Sequence, residues 1–262
     1  MSKYNDIDLK NWKDYNDIST DSLWIINKRD NSGVHNNLYH GNFVPQIPYQ
    51  LLMRYTKMGD WVLDPFMGSG TTLIEAQRLN RNSIGIELQK EVALEANNRI
   101  NLERKNGILT QVIIGNSKRI CLDRHLKRFN ISKVQFIIMH PPYWDIIKFS
   151  ENKDDLSNDM DLNTFLNDLG DVIDNTTKFL EKNRYCAIVI GDKYSNGQIT
   201  PLGFYCMNLF LQRKFKLKAI IVKNFEETKG KKNQQAIWRY RALANDFYLF
   251  KHEYIMIFKK IK

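Results

Sequence analysis

Apolar and polar residues fall along this chain in two alternating rhythms. Short, almost continuous apolar runs are followed by stretches whose apolar positions recur every three to four residues, the pattern of buried strands alternating with amphipathic helices. Trp61-Val62-Leu63 leads into Asp64, Pro65 and a turn punctuated by Gly68 and Gly70, after which LIEAQRL takes up the helical period. Residues 83–87 (SIGIE) read as a second strand, 89–105 as a helix, 111–114 as a third strand, and 136–139 (FIIM) as a fourth. A surface helix is predicted over 162–180, and a central strand over 185–191 (YCAIVIG), where an unbroken apolar run implies burial on both faces. Residues 217–222 and 254–258 are expected to form an antiparallel pair at the sheet edge. Ahead of Trp61, two prolines hold 43–48 extended and a helix follows (YQLLMRYTK), while residues 1–40 are polar and read as an extended arm anchored by Trp24. The order predicts an α/β fold, Rossmann-like, with an arm over 1–40 and one domain over 41–262.

The turn after Trp61 carries the first chemistry. Gly68 and Gly70 have no Cβ and let the backbone approach a ligand closely, and Asp64 stands where open α/β sheets hold cofactors. A phosphate cradle would need a lysine after the last glycine, and Thr71 occupies that place. Glu87, 17 residues after Gly70 at the end of the second predicted strand, has the spacing of a carboxylate that accepts from ribose hydroxyls. The fourth strand delivers His140-Pro141-Pro142-Tyr143-Trp144, a turn made rigid by its two prolines.

Asp64-Pro65-Phe66-Met67-Gly68-Ser69-Gly70-Thr71-Thr72 closely resembles the S-adenosylmethionine loop of the DNA amino-methyltransferases, which modify the exocyclic nitrogen of adenine or cytosine. The resemblance implies a class I methyltransferase sheet of seven mostly parallel strands with an antiparallel edge hairpin and helices on both faces. It also implies S-adenosyl-L-methionine as cofactor, contacted by Asp64, Phe66, Gly68, Gly70, Thr71 and Glu87. In the family a segment like 39–48 closes over the methionine end of the cofactor, which makes Phe43 and Pro45 candidates; a plain helix-entry loop is the equal alternative. An aspartate usually accepts from the cofactor adenine where this chain has Asn116, whose amide oxygen would have to serve. The 140–143 turn corresponds to the catalytic motif, with His140 where the family carries Asp, Asn or Ser. Trp144 resembles the cytosine-modifying subgroup, but His140 fits neither subgroup, so adenine and cytosine stay open.

An exocyclic amino group is a poor nucleophile because its lone pair is delocalised into the ring. Two acceptors on its N–H bonds localise that pair, and positioning then supplies much of the rate. The expected acceptors are a neutral His140 imidazole and the Pro141 carbonyl, with Pro142 holding the turn and Tyr143 stacking on a flipped base. An imidazolium could not accept, so the rate is expected to fall through the His140 pKa, and a flat rate between pH 8 and 5.5 to remove His140 from the role.

The net charge of +10 sharpens the choice of partner. Residues 213–262 hold fourteen Lys and Arg against four Asp and Glu, while the preceding residues balance. A basic surface at one end is the footprint of a polyanion. Within it Lys229, Lys231, Lys232, Trp238, Arg239 and Arg241 interleave cations with aromatics and, with Trp144, are the candidate contacts to double-stranded DNA. Residues 145–165 and 223–251 are the candidate recognition insertions. An RNA base amino-methyltransferase is the first alternative; a protein-glutamine methyltransferase and a non-enzymatic binding module follow. Cys121, Cys186 and Cys206 lack CxxC spacing and are expected to be buried, reduced thiols with no metal. With no apolar run long enough for a membrane, a cytoplasmic, nucleoid-associated monomer or homodimer is expected, serving a restriction-modification system with a cognate endonuclease or acting alone.

Overall fold

The computed structural model describes residues 4–36, 38–225 and 235–261. After a two-residue strand β1 (Leu23–Trp24) and helix α1 (Gln46–Tyr55), strands and helices alternate as β2 (Trp61–Asp64), α2 (Thr71–Arg78), β3 (Asn82–Glu87), α3 (Lys90–Leu102), β4 (Thr110–Ile114), α4 (Leu122–Lys127), β5 (Val134–Met139), α5 (Leu162–Thr177) and β6 (Leu180–Ile190). A small ribbon, β7 (Lys193–Ser195) with β8 (Gln198–Thr200), leads to α6 (Leu202–Gln212), β9 (Lys216–Asn224), α7 (Gln235–Ala244) and β10 (His252–Lys259).

The main sheet runs β1-β9-β10-β6-β5-β2-β3-β4. Strands β2 to β6 are mutually parallel, and β10 is antiparallel to both β6 and β9. The sheet therefore has eight strands where seven were expected. The extra one is β1, which pairs parallel with β9 through Leu23 and Trp24 and covers an edge that would otherwise expose unpaired backbone groups. Trp24, the expected anchor of the arm, is buried.

Both faces are covered by helices, and the strands divide their side chains between them with period two. On β6, Cys186, Ile188 and Ile190 join one core with α4, α5 and α6, whereas Tyr185, Ala187 and Val189 join the other with α1. On β5, Ile137 and Met139 face the first core while Phe136 and Ile138 face the second. This two-sided burial explains the unbroken apolar runs. Cys186 and Cys206 are buried, but Cys121 is exposed at the start of α4, contrary to expectation.

The site follows from strand direction. β2, β3, β5 and β6 all end at the carboxyl edge, and β9, antiparallel to β10, ends there too. The glycine turn after β2, the proline turn after β5 and the ribbon after β6 are thereby gathered on one side. Tyr194 of the ribbon packs on Phe247, beyond α7, with ring centroids 5.1 Å apart. Among the described residues no helix is long and apolar enough to cross a membrane.

Candidate active site

The glycine turn is shaped by its own backbone. Gly68 and Gly70 sit at φ 48° and 83°, in the left-handed region, and the Gly70 N–H closes the turn on the Met67 carbonyl at 2.8 Å. A Cβ on Gly68 would lie 3.0 Å from the Tyr39 ring, so the smallest side chain is also needed for a close approach. Asp64 is 1% exposed and accepts from the Phe66 N–H at 2.9 Å, so it shapes the turn from beneath. Burial pushes its carboxyl up to about 7, with the Glu87 charge adding to the shift. Glu87 closes β3, accepts from the N–H groups of Gly68 (3.1 Å) and Gln89 (2.8 Å), and is itself raised by burial.

An open cleft with about 800 Å³ of empty space, mouth included, lies over this turn. Phe43, Phe66, Gly68, Thr71, Glu87 and Asn116 line it; Pro45, Asp64 and Gly70 do not. Pro45 instead starts α1, and Gly70 packs under Ala96 and Ile100 of α3. The Asn116 oxygen, expected to face a ligand, is taken by the Lys118 N–H at 2.8 Å, while its buried Nδ2 has no hydrogen-bond partner. Tyr39, Asn42 and Phe149 also line the cleft and had no sequence signal of their own. The Asn42 carboxamide oxygen accepts from Ser69 and Thr71, and the Tyr39 ring stacks on Phe149 at 6.2 Å. The strap 39–44 is held down from the other side by Arg29, which donates to the carbonyls of Phe43 (2.9 Å) and Asn36 (3.1 Å).

The proline turn walls off a second cleft, of about 1550 Å³ with its mouth, lined by His140, Pro141, Tyr143, Phe225, Lys223 and Glu253 among others. His140 and Phe43, whose rings lie 4.8 Å apart, border both clefts. The Pro141 carbonyl accepts no hydrogen bond among the described residues. The Tyr143 hydroxyl donates to Glu253 at 2.6 Å, Glu253 pairs with Lys223 at 3.1 Å, and His140 Nε2 stands 3.3 Å from the same hydroxyl. Glu253 and Lys223 face one another across β10 and β9 and are both nearly fully buried.

Burial, with Lys223 nearby, pushes His140 down to about 4 against the opposing pull of Glu253. The imidazole is therefore neutral well below pH 5.5. The pH criterion expected from the sequence has to move: a flat rate from pH 8 to 5.5 is what this histidine gives as an acceptor. Burial and Glu253 hold the Tyr143 phenol well above its ordinary value.

Trp144 lines neither cleft. Its indole N–H donates to the Asp159 carbonyl at 3.0 Å, its ring lies under Lys193 at 3.9 Å, and it packs against the core. Arg239 and Arg241 are exposed on α7, with Arg241 over the Trp238 ring at 5.0 Å. Lys229, Lys231 and Lys232 lie outside the described residues.

Residues 2–98 match the family model described as DNA methylase. Type II methyltransferase M.MthZI of Methanothermobacter thermautotrophicus is 39% identical over 97 residues, covering 34% of this chain and 26% of that protein. Type II methyltransferase M2.DpnII of Streptococcus pneumoniae is 45% identical over 56 residues, 21% of each chain. The chain thus spans about a quarter or less of the length of these two relatives. In fold it is similar to a SAM-dependent methyltransferase from Methanosarcina mazei, with a TM-score of 0.53 at 14% identity over 80% of this chain and 97% of that one. Over residues 2–98 this chain is thus similar to the DNA methylase family that the matched model describes, and its sheet has the class I methyltransferase fold.

Proposed function

We propose that the protein is an S-adenosylmethionine-dependent DNA methyltransferase acting on the exocyclic amino group of a flipped adenine or cytosine. The observation that carries this reading is the shared wall: His140 and Phe43 border both the cleft over the glycine turn and the cleft beside the proline turn. A donor in the first and a base in the second would meet there.

The residues present fit the cofactor. Gly68 leaves room at the turn under Tyr39, Glu87 offers carboxylate lone pairs to ribose hydroxyls, and the unpartnered Asn116 Nδ2 can donate to an adenine ring nitrogen. When bound, S-adenosylmethionine supplies an electrophilic sulfonium methyl.

The rest of the chemistry belongs to the chain. Neutral His140 and the free Pro141 carbonyl accept the two N–H bonds of the target amine and localise its lone pair. Pro141 and Pro142 fix the carbonyl in place, so little reorganisation is needed at the moment of reaction. Phe43 and Tyr143 provide ring surface for an extruded base, whose stacking recovers roughly 1–3 kcal/mol of the unstacking cost. Arg239, Arg241 and the basic segment before them supply phosphate contacts. A cognate endonuclease, and a monomeric or dimeric state, complete the proposal for a restriction-modification setting.

Transfer of a tritiated methyl group to duplex DNA, in competition with bulk tRNA, tests the reading. Label on DNA supports it; label on tRNA alone would replace it with the RNA alternative.

A further inference from the structure

The second cleft holds a buried ion pair and a tyrosine hydroxyl that the chemistry above does not use. We infer that Glu253, anchored by Lys223, is a positioning residue: through the Tyr143 hydroxyl it fixes His140 as the Nε2–H tautomer and leaves Nδ1 as the acceptor. The inference rests on the reading that His140 receives the target amine.

The reasoning is a count of protons along one chain of contacts. Glu253 is paired with the Lys223 ammonium at 3.1 Å, and a carboxylate so paired only accepts. The Tyr143 hydroxyl has one proton, and it is spent on Glu253 Oε2 at 2.6 Å. What remains on that hydroxyl is acceptor capacity, so the 3.3 Å contact to His140 Nε2 requires the proton to sit on Nε2. A neutral imidazole has only one N–H, which leaves Nδ1 with its lone pair free. No hydrogen bond to Nδ1 occurs among the described residues.

The direction of the chain depends on the acid at its far end. Without Glu253 and its partner, Tyr143 would be free to donate to Nε2, and the imidazole proton would move to Nδ1. The acceptor that the target amine needs would then be blocked. A tyrosine in a proline turn could serve as a stacking surface alone; the ion pair makes its hydroxyl a one-way relay. Charge neutrality at the site is kept because Lys223 and Glu253 oppose each other directly across β9 and β10.

Nitrogen-15 NMR of the histidine rings tests this without cofactor or DNA. The chain has five histidines, and the His140 signals are identified by their loss in His140→Asn. The wild-type protein is expected to show the Nε2–H pattern at pH 7. In the paired Lys223→Met/Glu253→Met variant the tautomer ratio is expected to swing toward Nδ1–H by about tenfold, the scale of one hydrogen bond. Adding Tyr143→Phe to that variant removes the competing donor and should restore Nε2–H. A purely structural role for the ion pair would not reverse the tautomer and then restore it. An Nδ1–H pattern in the wild type overturns the inference even if the paired variant fails to fold. The Nε2–H pattern with no methyl transfer to DNA would instead leave the relay standing and remove the functional reading.

Discussion

The two turns that meet at the shared wall are built on opposite principles. The glycine turn after β2 is local: its shape comes from Gly68 and Gly70 at positive φ, from Asp64 beneath it, and from Glu87 on the adjacent strand. The proline turn after β5 is rigid in its backbone, but the tautomer proposed for His140 depends on Glu253 and Lys223, more than 80 residues further along the chain. A binding surface can be written in a dozen consecutive residues. A proton's position takes the whole sheet.

Substitutions can break this contrast at either turn. The largest expected effect is His140→Ala, which removes one of the two proposed acceptors and should lower single-turnover methylation about 10²–10³-fold. Calorimetry should find cofactor affinity changed far less than the rate, since the glycine turn is intact and His140 only borders its cleft. In the wild type, the same rate should stay flat from pH 8 to 5.5 and fall only as pH approaches about 4, where the imidazole takes a proton. A fall centred near pH 6.5 would mean that burial does not hold the ring neutral.

Asp64 offers the next effect. Its carboxyl is held up to about 7 in the fold, so the folded state keeps a proton that the unfolded chain releases near pH 4. The folded state binds more protons across that interval, and stability of the cofactor-free protein should fall as pH rises from about 4 to about 7. Asp64→Asn should flatten that slope and stabilise the empty protein at pH 8 by about 2–4 kcal/mol, read from urea midpoints. Unchanged midpoints would show that the buried carboxyl is ionised at little cost.

Gly68→Ala sharpens the comparison from the other side. A left-handed alanine costs about 1–2 kcal/mol, and its methyl would press on Tyr39, so cofactor affinity should weaken about tenfold. The rate at saturating cofactor should hold, the reverse of the His140 outcome. The smallest effect belongs to Trp144→Phe, which loses the bond to the Asp159 carbonyl and weakens the contact with Lys193. It should cost about 1 kcal/mol of stability and leave DNA affinity in filter binding unchanged. A large loss of DNA binding would return Trp144 to the interface.

The contrast also explains what the sequence made legible. Strands β2, β5 and the second half of β6 could be read because both of their faces are buried and their apolar runs are unbroken. The glycine turn could be read because its residues are contiguous. Strand β1 could not: it is two residues long, and only its pairing with β9 makes it a strand. α6 is apolar on most sides (LGFYCMNLFLQ), so no helical stripe stands out. Asn42 and Tyr39 sit in an irregular strap whose contacts with the glycine turn are long-range. Glu253 has no sequence signal of its own. Its meaning required knowing that β10 lies between β9 and β6, beside the proline turn. The packing of Trp144 could not be read, because an aromatic next to a proline turn has the same appearance whether it faces solvent or the core.

The most direct test is base-resolved mapping of the methyl group on DNA treated with the purified protein and S-adenosylmethionine. The shared wall predicts methyl on the exocyclic nitrogen of adenine or cytosine within a short defined sequence, and far less of it in the same time with His140→Ala. Methyl on a ring carbon, or undiminished methylation by the His140→Ala protein, would contradict it.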